Sequence, residues 1–163
     1  MKRGREETGC PVDLILWRHA QAQGQSGDPG DLARRLTPKG EKQAQRMARW
    51  LNLHLPQSAR VLSSPAVRTE STVAALGRAY KIAPELAPDA SVQSALELVQ
   101  WPHAKGVTVI VGHQPTLGQL VAQLLGMSAG DLSIKKGAVW WLRQREGSAV
   151  HVVTVQSPDM LSH

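Results

Sequence analysis

The chain has no Phe, one Tyr and one Cys in 163 residues, and each scarcity closes off a class of protein. The lone Cys10 rules out an internal disulfide framework and every thiolate zinc spacing, which fits a reducing cytosol. With so few rings besides five Trp, Leu, Val and Ala must supply most of the core volume. No apolar run nears the roughly 20 residues of a membrane span. The opening cations Lys2, Arg3 and Arg5 run into Glu6 and Glu7 instead of a secretory apolar stretch, so no signal peptide is expected. Two catalytic motifs are also missing: a Gly-Lys-Ser/Thr phosphate loop and a Gly-x-Ser-x-Gly nucleophile elbow. Their absence argues against an NTPase and against a serine hydrolase of that kind.

A net charge of +6 and a pI near 10.0 suit an anionic partner, which includes nucleic acid, a membrane surface and a phosphorylated substrate. The cations are scattered, with Arg34-Arg35 and Lys135-Lys136 the notable pairs, so a nucleic-acid footprint is not favoured. Either pair is a candidate docking point for an acidic partner, against the plainer reading of solvated surface.

With 42% hydrophobic residues the length suits one buried core. We expect a flexible tail over 1–11, one domain over 12–157 and a short tail over 158–163. Leu14 to Trp17 predict a buried strand; residues 20–36, rich in Gly, Gln, Ser and Asp, predict a long surface loop. Thr37-Pro38 predicts a helix cap with proline in the first turn, and Ala44, Met47, Ala48 and Leu51 give that helix its core stripe. Arg60 to Ser63 predict a second strand, with Ser64-Pro65 repeating the cap signal for a helix from about 65 to 76, stopped by Gly77. Ala79 to Ile82 predict a third strand, and Val92, Ala95, Leu96 and Val99 another amphipathic helix. Val107 to Val111, β-branched and apolar on both faces apart from Thr108, predict a central parallel strand. Gly112-His113-Gln114-Pro115 leads into a helix bearing Leu117, Leu120, Val121, Leu124 and Leu125, and segments 138–143 and 150–155 predict an antiparallel hairpin.

One arrangement recurs: a strand, a sharp turn, then a helix start marked by proline, with a basic residue at the junction. The junction residues are Arg18 with His19, Arg68, and His113. Parallel strands in one sheet bring such junctions to one edge, outside the carboxyl ends of the strands, where open α/β sheets bind ligands. Arg68, about one turn into its helix, places a cation near the positive end of the helix dipole, and something must offset it. A phosphate would do so; Glu70 or a distant acid is the competing partner. Two arginines would repel a zinc ion, so the site reads as one for an anion, phosphate first. A neutral imidazole is a competent nucleophile toward phosphorus, with Arg18, Arg68 and His113 left to hold the equatorial oxygens.

On these residues the chain resembles the histidine phosphatase (phosphoglycerate mutase-like) superfamily. Leu16-Trp17-Arg18-His19-Ala20 is similar to its Arg-His-Gly signature, and Arg68-Thr69 and Gly112-His113 match its second arginine and second histidine in order. More narrowly, Arg35-Leu36-Thr37-Pro38-Lys39-Gly40, Leu62 through Thr69, Pro84-Glu85-Leu86 and Gly112 through Gly118 resemble the SixA-type phosphohistidine phosphatases. The resemblance implies a three-layer α/β/α sandwich with a mainly parallel sheet. It implies His19 as nucleophile, with Arg18, Arg68 and His113 as the phosphate pocket, and no metal or organic cofactor. The implied partner is phosphohistidine on a phosphotransfer domain of a sensor kinase.

Two departures stand out. Ala20 replaces the signature glycine, so its backbone must avoid conformations that only glycine adopts cheaply. Relatives acting on sugar phosphates carry an acidic proton donor between the second arginine and the second histidine, together with a lid insertion. Here that interval offers Glu70, Glu85, Asp89 and Glu97 and no insertion. Glu85 is the best placed, with pairing to a nearby Arg as its rival role. Gln25 falls where larger relatives place a phosphate-binding Asn; a solvated loop side chain is the alternative. The leading expectation is a cytosolic phosphatase of protein phosphohistidine. The alternatives are a phosphatase of small phosphomonoesters and a non-enzymatic module binding anions or nucleic acid.

Overall fold

The structure, a computed structural model, describes residues 10–24, 30–101, 103, 105–128 and 132–161. A single sheet of six strands organises it: β1 (Val12–Arg18), β2 (Arg60–Ser63), β3 (Lys81–Ile82), β4 (Gly106–Gly112), β5 (Val139–Gln144) and β6 (His151–Gln156), in the spatial order β3-β2-β4-β1-β5-β6. The first four lie parallel, and β5 and β6 form the antiparallel hairpin. β4 sits between β1 and β2, as its β-branched, two-sided apolar sequence requires.

The two-residue alternation of strand side chains builds a core on each face. Leu14, Leu16, Leu62 and Ile110 point to one side, where they pack with helices α3 (Val92–Val99) and α4 (Thr116–Leu124) through Ala95, Val99, Leu117, Leu120 and Val121. Ile15, Trp17, Val61, Val109 and Val111 point to the other, against α1 (Pro38–His54) and α2 (Val67–Ala74) through Met47, Leu51 and Val73. The result is the three-layer α/β/α sandwich. Trp does part of the work that Phe would otherwise do, and the two most deeply placed in the sheet have their polar edge satisfied. Trp17 Nε1 donates to the Gly137 carbonyl at 3.1 Å, Trp141 Nε1 to the Asp13 carboxylate at 2.9 Å, and Trp50 meets Trp141 edge to face.

Helix α1 follows its sequence signal closely, with the Thr37 hydroxyl accepting from Gly40 N at 3.0 Å and Pro38 in the first turn. Helix α2 does not. It begins at Val67 behind Ala66, which has no capping side chain, because the Ser64 hydroxyl is engaged elsewhere. Strand β3 is two residues long instead of four, and β1 starts two residues earlier than its apolar run. The described parts of the long loop after β1 carry structure that their composition does not signal. Ala22 forms a β-bridge with Leu36, and Asp31–Ala33 is a 3₁₀ turn. At the other end, Pro158–Met160 forms a further 3₁₀ turn on α1, where Arg46 donates to the Pro158 carbonyl at 2.8 Å, so these three residues do not hang free as a tail. Most of the tail expected over 1–11, and Gln25, lie outside the described residues.

Candidate active site

Strand register brings the site together. β1 and β4 pair as Arg18 with Gly112, and β2 and β4 as Ser63 with Val111, so three strands end level with one another. The next residues are stitched across: His19 N donates to the Gly112 carbonyl at 3.1 Å and Ser64 N to the Val111 carbonyl at 3.0 Å. His19, Ser64 and His113 therefore share one rim, and α2 carries Arg68 up beside them.

The imidazoles of His19 and His113 lie 5.3 Å apart between ring centroids, tilted by 52°, and both are buried. His19 Nδ1 is 2.7 Å from the Ala20 carbonyl. A carbonyl only accepts, so Nδ1 carries the proton and Nε2 keeps its lone pair. Burial first, then the charges of Arg68, Arg18 and Arg34, push the His19 pKa down to about 4 despite that bond. Burial and the Arg68 charge push His113 down to about 3. Both rings are neutral at pH 7.

Arg18 leaves β1 with Nη1 donating to the Ile134 carbonyl at 2.8 Å. Arg68 is the second residue of α2, nearer its start than the sequence suggested. Its counterpart is an acid distant in sequence, Asp31, and not Glu70, which accepts from the Tyr80 hydroxyl. Arg68 Nη1 donates to the Asp31 main-chain oxygen at 2.8 Å and Nη2 to its carboxylate at 3.1 Å. Asp31 also takes Arg34 Nε at 3.0 Å on its other oxygen. Although burial opposes it, these two guanidiniums hold the Asp31 carboxyl below the ordinary carboxylate range. Asp31 is thus fixed as an anion and is no proton donor.

Three buried polar side-chain atoms have no hydrogen-bond partner among the described residues: Arg18 Nε, Arg68 Nε and His113 Nδ1. All belong to this site. Leaving such a donor unpaired costs about 1–3 kcal/mol, more when charged. An oxyanion supplies acceptors for the two guanidinium N–H groups, and two guanidiniums with two neutral imidazoles form a set suited to an anion and hostile to a cation.

The remaining sequence candidates fall outside this cluster. Glu85 lies exposed on the 3₁₀ turn Pro84–Leu86 and is not among the charges felt by His19 or His113. Glu97 accepts from Gln93 on an exposed helix face, and Asp89 is exposed. Ala20 is fully buried, with its N–H on Thr72 Oγ1 at 3.1 Å. Among the described residues, Gln100 is the one non-glycine residue with positive φ, so alanine sits unstrained where the signature has glycine.

Sequence reasoning missed Asp31, Ser64 and Gln114. Gln114 accepts from Gly118 N at 2.7 Å and donates to the Leu132 carbonyl at 3.0 Å, bracing the segment whose Ile134 carbonyl holds Arg18. Gly118 allows that approach, since a Cβ there would run into the Leu132 carbonyl. Lys135 and Lys136 are exposed on the same segment. Arg34 is tied to Asp31 and to the Gln23 carbonyl.

Comparison with known proteins agrees with this geometry. The profile of the Histidine phosphatase superfamily (branch 1) matches residues 14–91. The Escherichia coli phosphohistidine phosphatase SixA is 30% identical over 121 residues, covering 69% of this chain and 74% of that one. A phosphohistidine phosphatase SixA homolog of Haemophilus influenzae is 29% identical over 130 residues, 71% of this chain and 78% of its own. A solved structure named for SixA from Nakamurella multipartitia superposes with a TM-score of 0.76 at 26% identity, over 93% of this chain and 99% of that one. The structure of the protein histidine phosphatase SixA complexed with tungstate gives 0.75 at 24% identity, over 90% and 97%. With two histidines and two arginines gathered at one sheet edge and relatives of this kind, the chain belongs to the histidine phosphatase superfamily, branch 1.

Proposed function

We propose that this protein removes the phosphoryl group from phosphohistidine on a protein, through a covalent intermediate on His19. The observation that carries the reading is that three buried polar atoms without a partner, Arg18 Nε, Arg68 Nε and His113 Nδ1, all belong to residues at this sheet edge, where His19 keeps its Nε2 lone pair.

The chemistry follows from these atoms. The substrate phosphoryl oxygens lie against the three donors, and His19 Nε2 attacks phosphorus in line with the departing nitrogen. The P–N bond to the substrate imidazole breaks as the bond to Nε2 forms, and solvent protonates the leaving ring. Charge on the equatorial oxygens is held throughout by groups already in place. Water then attacks the phosphorus, giving inorganic phosphate and free His19. While phosphorylated, His19 keeps its Nδ1 proton on the Ala20 carbonyl, which orients the ring through both steps.

The substrate class rests on two observations. Imidazole leaves phosphorus more readily than an alkoxide, so this substrate makes little demand on a general acid; the carboxylate bound at the site is Asp31, an anion held by two arginines. The relatives of about 30% identity are named for phosphohistidine phosphatase activity. No helix of the described residues is long and apolar enough to cross a membrane, and the single, free Cys10 is compatible with a reducing compartment.

The test is turnover of a phosphohistidine-bearing protein beside a panel of sugar and nucleotide monoesters. The reading expects kcat/KM to favour the phosphoprotein, acid-labile phosphate to appear on His19 during turnover, and His19→Ala to lose both. Faster turnover of a small ester would reassign the substrate, and full activity in His19→Ala would remove the mechanism.

A further inference from the structure

Ser64 looks in the sequence like a helix cap, yet its hydroxyl lies 2.7 Å from His113 Nε2 and helix α2 begins without a side-chain cap. Both residues are buried, Ser64 completely. The hydroxyl has one proton to give. On its accepting side it lies 3.5 Å from the Ala66 N–H, which donates to it. The nearby main-chain oxygens have other donors: the Ser64 carbonyl accepts the Ser63 hydroxyl, and the Thr69 hydroxyl lies between the Ser64 and Ala66 carbonyls. The remaining acceptor in reach is His113 Nε2. A neutral imidazole that accepts at Nε2 must carry its proton at Nδ1, and Nδ1 is the buried atom left without a partner.

We propose that Ser64 is a positioning residue that fixes the tautomer of His113, donating to Nε2 so that Nδ1–H is presented to the phosphoryl oxygen. The inference rests on the phosphatase reading for its consequence in turnover, but not for the tautomer itself. Two uncharged groups thereby yield a donor of fixed direction. Were Ser64 an acceptor, His113 would turn a lone pair toward the anion and repel it. The charged and titratable groups whose fields reach His113 are Arg68, His19, Asp31 and Arg18. The three cationic or imidazole members disfavour a second proton on the ring, so the hydroxyl has a neutral ring on which to act. Sequence also supports the division of labour: Ser64 and His113 follow adjacent parallel strands, β2 and β4, and end up facing one another for the same reason that the strands end level.

The test reads the tautomer directly, by ¹⁵N chemical shifts of the His113 ring in the full chain at neutral pH without ligand. The wild type is expected to show a protonated Nδ1 and an unprotonated Nε2. Ser64→Ala should shift the ring toward the Nε2–H form and weaken vanadate binding about tenfold, the worth of one hydrogen bond to a charged group. Ser64→Thr, which keeps the hydroxyl, should restore the Nδ1–H form and the affinity. An Nε2–H ring in the wild type, or a Nδ1–H ring unchanged by Ser64→Ala, would overturn the proposal. The wild-type spectrum decides the tautomer even if a variant does not fold. An expected spectrum together with no phosphatase activity on any substrate would instead sink the functional reading and leave the tautomer assignment standing.

Discussion

One residue, Asp31, occupies both terminal nitrogens of Arg68, one through its main-chain oxygen and the other through its carboxylate. This grips the end of the guanidinium and leaves the buried Nε as its one nitrogen without a partner. Asp31 therefore aims Arg68 while adding a negative charge beside the place where a phosphoryl group belongs. The two roles separate in Asp31→Asn, which keeps the shape and the main-chain acceptor but removes the charge. At this half-screened position the charge is worth about 1 kcal/mol, so inorganic phosphate should inhibit the variant about fivefold more tightly. Product-inhibition constants check this; an unchanged or weaker constant would show that the carboxylate does not oppose the anion.

The depressed histidines make stability depend on pH. Folded values of about 4 for His19 and about 3 for His113, against 6.5 for the unfolded groups, mean that the unfolded chain binds more protons in between. Stability therefore falls as pH drops through about 6.5 and keeps falling toward the folded values. For either group alone the loss by pH 5 is about 2 kcal/mol. Melting temperatures from pH 7.5 to 5 should decline in the wild type and decline less in His19→Gln and His113→Gln. Parallel curves for all three proteins would contradict the assignment of neutral rings.

A prediction away from the site concerns Asp13, buried in β1 and bound by Trp141 Nε1, Arg143 Nε and Arg143 Nη2. Asp13→Ala strands an indole N–H and a partly buried cation, and should cost about 3 kcal/mol in chemical denaturation. The kcat of the folded fraction should stay at the wild-type level. A loss below 1 kcal/mol, by the usual standard of exposed pairs, would mean that solvent replaces these bonds without difficulty.

Much of the fold was legible because strand signals and helix stripes agree with the tertiary demand. β4 is β-branched where it is central, α1 has its cap, proline and apolar stripe in phase, and His19, Arg68 and His113 mark the junctions that the register then aligns. What escaped was polar and long-range. Asp31 lies in a segment whose composition signals only loop, and nothing local says that its carboxylate will close on a residue 37 positions away. Ser64 misled because Ser before Pro signals a cap, and the signal cannot show that a histidine 49 residues on will claim the hydroxyl. Helix α2 accordingly starts later than expected.

Gly118 in α4 carries a second-hand effect on the pocket. A methyl group there meets the Leu132 carbonyl, and the helix-to-strand segment it would push away holds Arg18 through Ile134 O. Gly118→Ala should lower the melting temperature and also reduce kcat/KM at least about tenfold, since misplacing a catalytic group by about 1 Å is costly. Full kcat/KM in a folded variant would show that Arg18 does not depend on this support.

The most direct measurement is a crystal structure of the protein with tungstate or vanadate bound. The account predicts the oxyanion within hydrogen-bond distance of Arg18 Nε, Arg68 Nε and His113 Nδ1, with His19 Nε2 facing the metal atom that stands for phosphorus. An oxyanion bound elsewhere on the chain, or one that enters this rim without touching those nitrogens, would contradict it.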